Sequence, residues 1–306
     1  MSNLRGFSGF REMLAARQKA VNSLICMGLD PLVEKVPTCL RKGDGSVDQG
    51  SMATWLMDMS SASAEFVSLY KPQKAHYEAL YDAGIDGSWV LRKVVSHLNL
   101  HFPDIPVFLD CKRGDIGRTQ ERYRIAHFSV DGVDGMNFSP YMGKDCMEYL
   151  VSKDHPGHAI VGLCYTSNSS AREVQDVKLA DGRQYWEFMA ETILKWAEKL
   201  GVIADAGLVM AAAFENPKGS GNIFSYHLSR GREIVGNKLW FLIPGIGTQG
   251  GFVEETVRAA FSGPGSIAIN SSSGITFASA GEDFAEAAAR EAKKLRDQIR
   301  AAGGNC

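Results

Sequence analysis

The sequence predicts an α/β protein built as a single (β/α)8 barrel, and three observations lead there. Eight short runs rich in β-branched and large apolar residues recur along the chain, with stretches of helical apolar spacing between them. No linker, internal repeat or low-complexity tract divides residues 1–306. A length of 306 residues admits one large barrel or two average domains, so it permits the barrel without deciding for it. The rival, a doubly wound sheet, more often uses about five to seven strands.

The elements follow in order. The opening stretch, about residues 7–22, is charged and helix-like and lacks the apolar centre of a signal peptide. The first run, SLICMGLD (23–30), ends in Asp30, and the polar insertion RKGDGSVDQGS (41–51) reads as a surface loop. A helix over 51–65 leads to FVSLYKPQ (66–73), and PVFLDCK (106–112), VDGMNFS (133–139) and AIVGLCYT (159–166) follow. A helix over 183–201 precedes GLVMAAA (207–213). LWFLIPG (239–245), a helix over 252–261, SIAIN (266–270) and a last helix over about 281–301 complete the pattern, with Gly303 and Gly304 as stop signals.

Composition narrows the function classes. An apolar fraction of 45%, a charged fraction of 22% and a net charge of −2 describe an ordinary soluble protein, with no field to attract nucleic acid or an anionic membrane. No apolar run approaches the length of a membrane span. The six cysteines lack CxxC spacing and several sit in apolar runs, as reduced thiols of a cytoplasmic protein do. The seven histidines are dispersed, with His155 and His158 the pair nearest in sequence, so no metal site is expected.

In such a barrel the active site lies at the C-terminal ends of the strands. Those ends are polar: Asp30, then Lys71 with Gln73, Asp110 and Lys112 with Asp115, Thr166-Ser167-Asn168, and Asn270. Side chains alternate along a strand, so Asp110 and Lys112 should share the barrel mouth while Cys111 faces the helices. Lys71 can reach the same pocket, giving an alternating array Lys71, Asp110, Lys112, Asp115, in which flanking acids keep the lysines charged. The bland alternative is a structural ion-pair network under a loop. PGIGTQGG contains G-x-G-x-x-G as Gly245, Gly247 and Gly250. Its place after the seventh run suggests a phosphate cradle of backbone N–H groups, with Gln249 as a further donor, or else a tight turn.

Taken together, DCKRGDIGRT, KPQ, TSN and IPGIGTQGG resemble the orotidine 5′-monophosphate decarboxylase family over roughly residues 20 to 280. The resemblance implies decarboxylation of orotidine 5′-monophosphate to UMP without a cofactor. It implies that Asp30 binds the ribose, with Gln73 nearby, that Lys71 and Asp110 belong to the catalytic array, and that Lys112 delivers a proton to C6. Ser167 would bond the pyrimidine, and Gln249 the phosphate. Asp115, Ile116 and Thr119 would complete the site of a neighbouring subunit, so a homodimer is implied; in some members the domain is fused to orotate phosphoribosyltransferase.

One departure stands out. The family's phosphate-gripping arginine after the eighth strand is replaced by Ser273, which cannot supply a charged bidentate fork. That leaves a catalytically weakened nucleotide-binding homologue as one alternative. Another is a metal-assisted decarboxylase or aldolase of a sugar phosphate on the same barrel. A Schiff-base lysine is disfavoured, since flanking acids keep Lys71 and Lys112 protonated.

Overall fold

The computed structural model describes residues 4–246 and 252–306. All eight apolar runs contain a strand: β1 (Ile25–Leu29), β2 (Leu69–Pro72), β3 (Phe108–Arg113), β4 (Gly135–Phe138), β5 (Ala159–Tyr165), β6 (Ala206–Met210), β7 (Trp240–Ile243) and β8 (Ile267–Ser271). Every pairing is parallel, in the order β2-β1-β8-β7-β6-β5-β4-β3. Bridges Tyr70 to Val107 and Gln73 to Asp110 join β2 to β3 and close the cylinder. Strands buried on both faces need apolar residues at almost every position, which is why the runs look continuous rather than alternating.

The helices begin where their caps dictate. Asp48 accepts the Ser51 N–H at 2.8 Å, so the helix Gln49–Ser63 starts earlier than expected and shortens the predicted loop. Helix Tyr185–Leu200 opens on a capping box of Gln184 and Glu187 and stops at Gly201, whose φ of 70° suits glycine. The first and last helices are Phe10–Val21 and Phe284–Ala301. Outside the barrel sheet, Phe214–Glu215 and Ile223–Phe224 form a small antiparallel hairpin.

Two apolar layers result. The larger lies between strands and helices, and a smaller one fills the barrel with Cys26, Leu69, Phe108, Val161, Val209 and Leu242. Phe10 and Leu14 of the first helix enter that inner layer. Phe10 stacks on Trp240 at 5.3 Å and meets Phe108 edge-on at 6.1 Å. The first helix therefore plugs the N-terminal end of the barrel and leaves the opposite end open. No helix among the described residues is long and apolar enough to cross a membrane.

Candidate active site

A cavity of about 480 Å³ lies at the open end, walled by Asp30, Lys71, Gln73, Asp110, Lys112 and Asn137 on one side and by Ser167, Asn270, Ser272 and Ser273 among others on the other. Alternation accounts for β1 and β2: Cys26 and Leu69 lie in the inner core, so Asp30 and Lys71 continue the inward faces into the mouth. In β3 it accounts for Phe108 and Asp110 only. The register shifts between Leu109 and Arg113, and Lys112 takes φ 46°. Lys112 thus reaches Asp110 through a bulge and not through regular strand geometry. A left-handed lysine costs about 1–2 kcal/mol, so its surroundings must hold it there.

Asp110 is the hub. Its Oδ1 accepts from Lys112 Nζ at 2.6 Å and from Asn137 Nδ2 at 2.7 Å, and its Oδ2 faces Lys71 Nζ at 3.3 Å. Burial pushes the Asp110 carboxyl up, but Lys71, Lys112 and these hydrogen bonds outweigh it and hold the group well below the usual carboxylate range. Lys71 is 3% exposed. Burial works against its charge, yet Asp30 and then Asp110 keep its pKa above that of an ordinary lysine. Asp30 stands in the cavity wall, and its Oδ1 is buried without a hydrogen-bond partner among the described residues.

The rest of the wall is built from fixed backbone. Gln73 Oε1 accepts the Ala75 N–H at 2.6 Å and so caps helix Lys74–Ala79, leaving its amide NH2 to offer a ligand. Thr166 is gripped twice by Gln175: its N–H donates to Gln175 Oε1, and its Oγ1 accepts from Gln175 Nε2, both at 2.9 Å. That grip presents Ser167 to the cavity. Ser272 packs so closely on Gly28 that a Cβ there would lie 1.8 Å from Ser272 Oγ, which makes glycine obligatory. Ser273 opens the short helix Ser273–Thr276 in the wall. Among the described lining residues the cations are Lys71 and Lys112, and both face Asp110. Gly247, Gln249 and Gly250 lie outside the described residues.

Asp115 is not brought into the array expected for it. Asp115, Ile116 and Thr119 lie away from the cavity wall of their own chain, where Asp115 Oδ1 accepts the Ile116 N–H at 2.8 Å. Ile116 is 49% exposed, and Tyr141 and Met142, in the loop after the adjacent strand β4, are also exposed. Sequence reasoning missed Asn137 and Gln175. Asn137 carried a signal, as a polar side chain flanked by Met136 and Phe138 within the run that forms β4; Gln175 carried none.

Comparison with known proteins gives a consistent picture. The family model described as "Orotidine 5'-phosphate decarboxylase / HUMPS family" matches residues 24–290. The orotidine 5′-phosphate decarboxylase of Ralstonia nicotianae is 38% identical over 292 residues, 95% of this chain and 97% of that one. That of Bordetella pertussis is 34% identical over 95% of this chain and 98% of its own. Among solved structures, the Leishmania donovani OMP decarboxylase superposes with a TM-score of 0.74 at 28% identity, covering 96% of this chain and 98% of that one. The Leishmania donovani UMP synthase gives 0.75 at 28% identity over 97% of this chain but 57% of its own, so there the fold is part of a longer chain.

Proposed function

The chain belongs to the orotidine 5′-phosphate decarboxylase / HUMPS family, and on that premise we propose that it converts orotidine 5′-monophosphate to UMP without a cofactor, with Lys112 as the proton donor. The observation that carries this reading is the Lys71–Asp110–Lys112 array at the mouth of a plugged barrel. Cleavage of the bond from C6 to the carboxylate releases CO2 and leaves the electron pair on C6. The ammonium of Lys112 opposes that negative charge and then gives its proton to form the C6–H bond. The amine so formed is half-exposed and regains a proton from water. Lys71 and Asp110 keep the field in place before substrate arrives, so little reorganisation is needed during the reaction.

The remaining assignments are part of the same proposal. Asp30, a carboxylate in the cavity wall, suits the ribose hydroxyls, and Gln73 offers its amide NH2 nearby. Ser167 faces the pyrimidine, and the PGIGTQGG segment with Gln249 takes the phosphate. Asp115, Ile116 and Thr119 serve a second copy of the chain; the exposure of Ile116, Tyr141 and Met142 at the loops after β3 and β4 supports a dimer contact there. Fusion to orotate phosphoribosyltransferase in a longer protein is compatible with the UMP synthase likeness.

The direct test is turnover of orotidine monophosphate by the purified chain, followed as loss of ultraviolet absorbance with and without chelator. Turnover unaffected by chelator is expected. Loss in chelator would favour the metal-assisted reading, against which stands the full occupation of Asp110 by two lysines and an amide. The absence of turnover with retained UMP binding would favour a nucleotide-binding homologue, the reading that Ser273 supports.

A further inference from the structure

We propose that Asn137 is a positioning residue that sets the reach of Lys112 and the orientation of Asp110 together; this deepens the decarboxylase reading and rests on it. Asn137 is 1% exposed and stands on β4, one strand away from both charged groups. Its Oδ1 accepts two consecutive backbone N–H groups, from Cys111 at 2.9 Å and Lys112 at 2.7 Å. A regular strand cannot aim consecutive N–H groups at one acceptor, because they point to opposite sides. They converge here because Lys112 is left-handed, so the carboxamide oxygen holds the bulge from which the lysine side chain starts.

The other end of the same amide completes the device. Nδ2 donates at 2.7 Å to Asp110 Oδ1, the oxygen that receives Lys112 Nζ at 2.6 Å. The amide has one workable orientation: turned over, it would set its NH2 against two N–H donors and its oxygen against a carboxylate. No other side chain of this size meets both demands. An aspartate keeps the acceptor but has no proton for Asp110, and a serine or alanine cannot span the two. Lys112 is 46% exposed, so with its backbone released only the ion pair to Asp110 would hold the ammonium at the cavity against water.

The test uses the full chain with Asn137→Ala and Asn137→Asp. The alanine variant is expected to lose about a hundredfold in kcat while KM stays within about threefold, the mark of a reacting group displaced and not of lost substrate binding. The aspartate variant keeps the loop acceptor but sets a carboxylate against Asp110. Its kcat should fall as pH rises through a new ionisation absent from the unsubstituted protein, because the pair must share a proton. A readout independent of turnover is acylation of Lys112 by an amine-reactive reagent, read by peptide mass spectrometry against the exposed Lys195. It should rise several-fold in the alanine variant and much less in the aspartate one. Unchanged Lys112 acylation, or a loss confined to KM, overturns the proposal. If the alanine variant does not fold, the pH profile and acylation of the aspartate variant decide. If the unsubstituted chain fails to turn over orotidine monophosphate, the decarboxylase reading falls, and the acylation ratio still decides the clamp.

Discussion

The two ends of the barrel differ in how their amide and charged groups are held, although His158 Nδ1 at the plugged end is, like Asp30 Oδ1 at the open one, without a hydrogen-bond partner among the described residues. At the plugged end Gln18 is fully buried and satisfied at both atoms, Oε1 accepting the Gly265 N–H at 2.6 Å and Nε2 donating to the Ile267 carbonyl at 2.7 Å. Arg232 likewise gives its guanidinium to the carbonyls of Ala260, Leu239 and Ser266. At the open end Asp30 Oδ1 has no partner among the described residues, and Lys112 sits in a backbone conformation its side chain disfavours. Satisfied groups fix a structure, whereas a strained residue or a carboxylate in the wall of a cavity is free to answer a ligand. Substitutions at the open end should therefore change activity with little effect on stability, and those at the plugged end the reverse.

The largest expected effect breaks the open end. Lys112→Ala removes the proposed proton donor and is expected to lower kcat by about 10⁴-fold or more, since general-acid and electrostatic contributions would be lost together. Its melting temperature should stay near that of the unsubstituted chain, because the side chain is half-exposed and Lys71 still faces Asp110. A variant that kept most of the rate would show that the proton comes from elsewhere. Next comes the plug: Phe10→Ala should cost about 3–5 kcal/mol in denaturant unfolding, as for other buried aromatics. Activity per folded molecule should change little, and a large fall in kcat would mean that the two ends are coupled.

A smaller change tests what the open end lacks. Ser273→Arg places a guanidinium in the cavity wall, where the described cations both already face Asp110. A charge-assisted bond to the substrate phosphate contributes about 1.5–3 kcal/mol, so KM should drop roughly tenfold to a hundredfold. An unchanged KM would place the phosphate away from residue 273.

What could be read from the sequence follows the same division. All eight strands were legible because burial on both faces leaves long apolar runs, and Asp30, Lys71, Asp110 and Ser167 were legible because polar residues at the ends of such runs are conspicuous. Alternation led to Lys112 by an argument that the bulge invalidates. Nothing local in DCKRG announces a left-handed lysine, since the group that holds it comes from β4, 25 residues away along the chain. Proximity in sequence puts Asp115 with the array, and the resemblance gives it to a neighbouring subunit; in the structure it is not among the residues that wall its own chain's cavity. Gln175 was not foreseen because its role depends on how the loop after β5 folds back on Thr166.

The smallest expected effect lies at the plugged end and depends on pH. Asp205 Oδ1 accepts the Arg11 N–H at 3.0 Å in the first turn of the plug helix. Burial pushes this carboxyl from its ordinary 3.8 up to about 6, against the opposing pull of that N–H and of the Arg11 charge. The folded chain therefore holds the proton more tightly than the unfolded chain between about pH 4 and pH 6. Stability associated with Asp205 is fully present below the unfolded value, is lost as pH rises through that window, and changes no further above it. Asp205→Asn imitates the protonated acid at every pH. Its stability relative to the unsubstituted chain should thus rise by about 1–3 kcal/mol between pH 4 and pH 7, measured as the difference in urea unfolding free energy. A difference independent of pH would mean that the hydrogen bond to the helix outweighs burial, and that the plugged end also contains a charge held in place by its partners, as Asp110 is at the mouth.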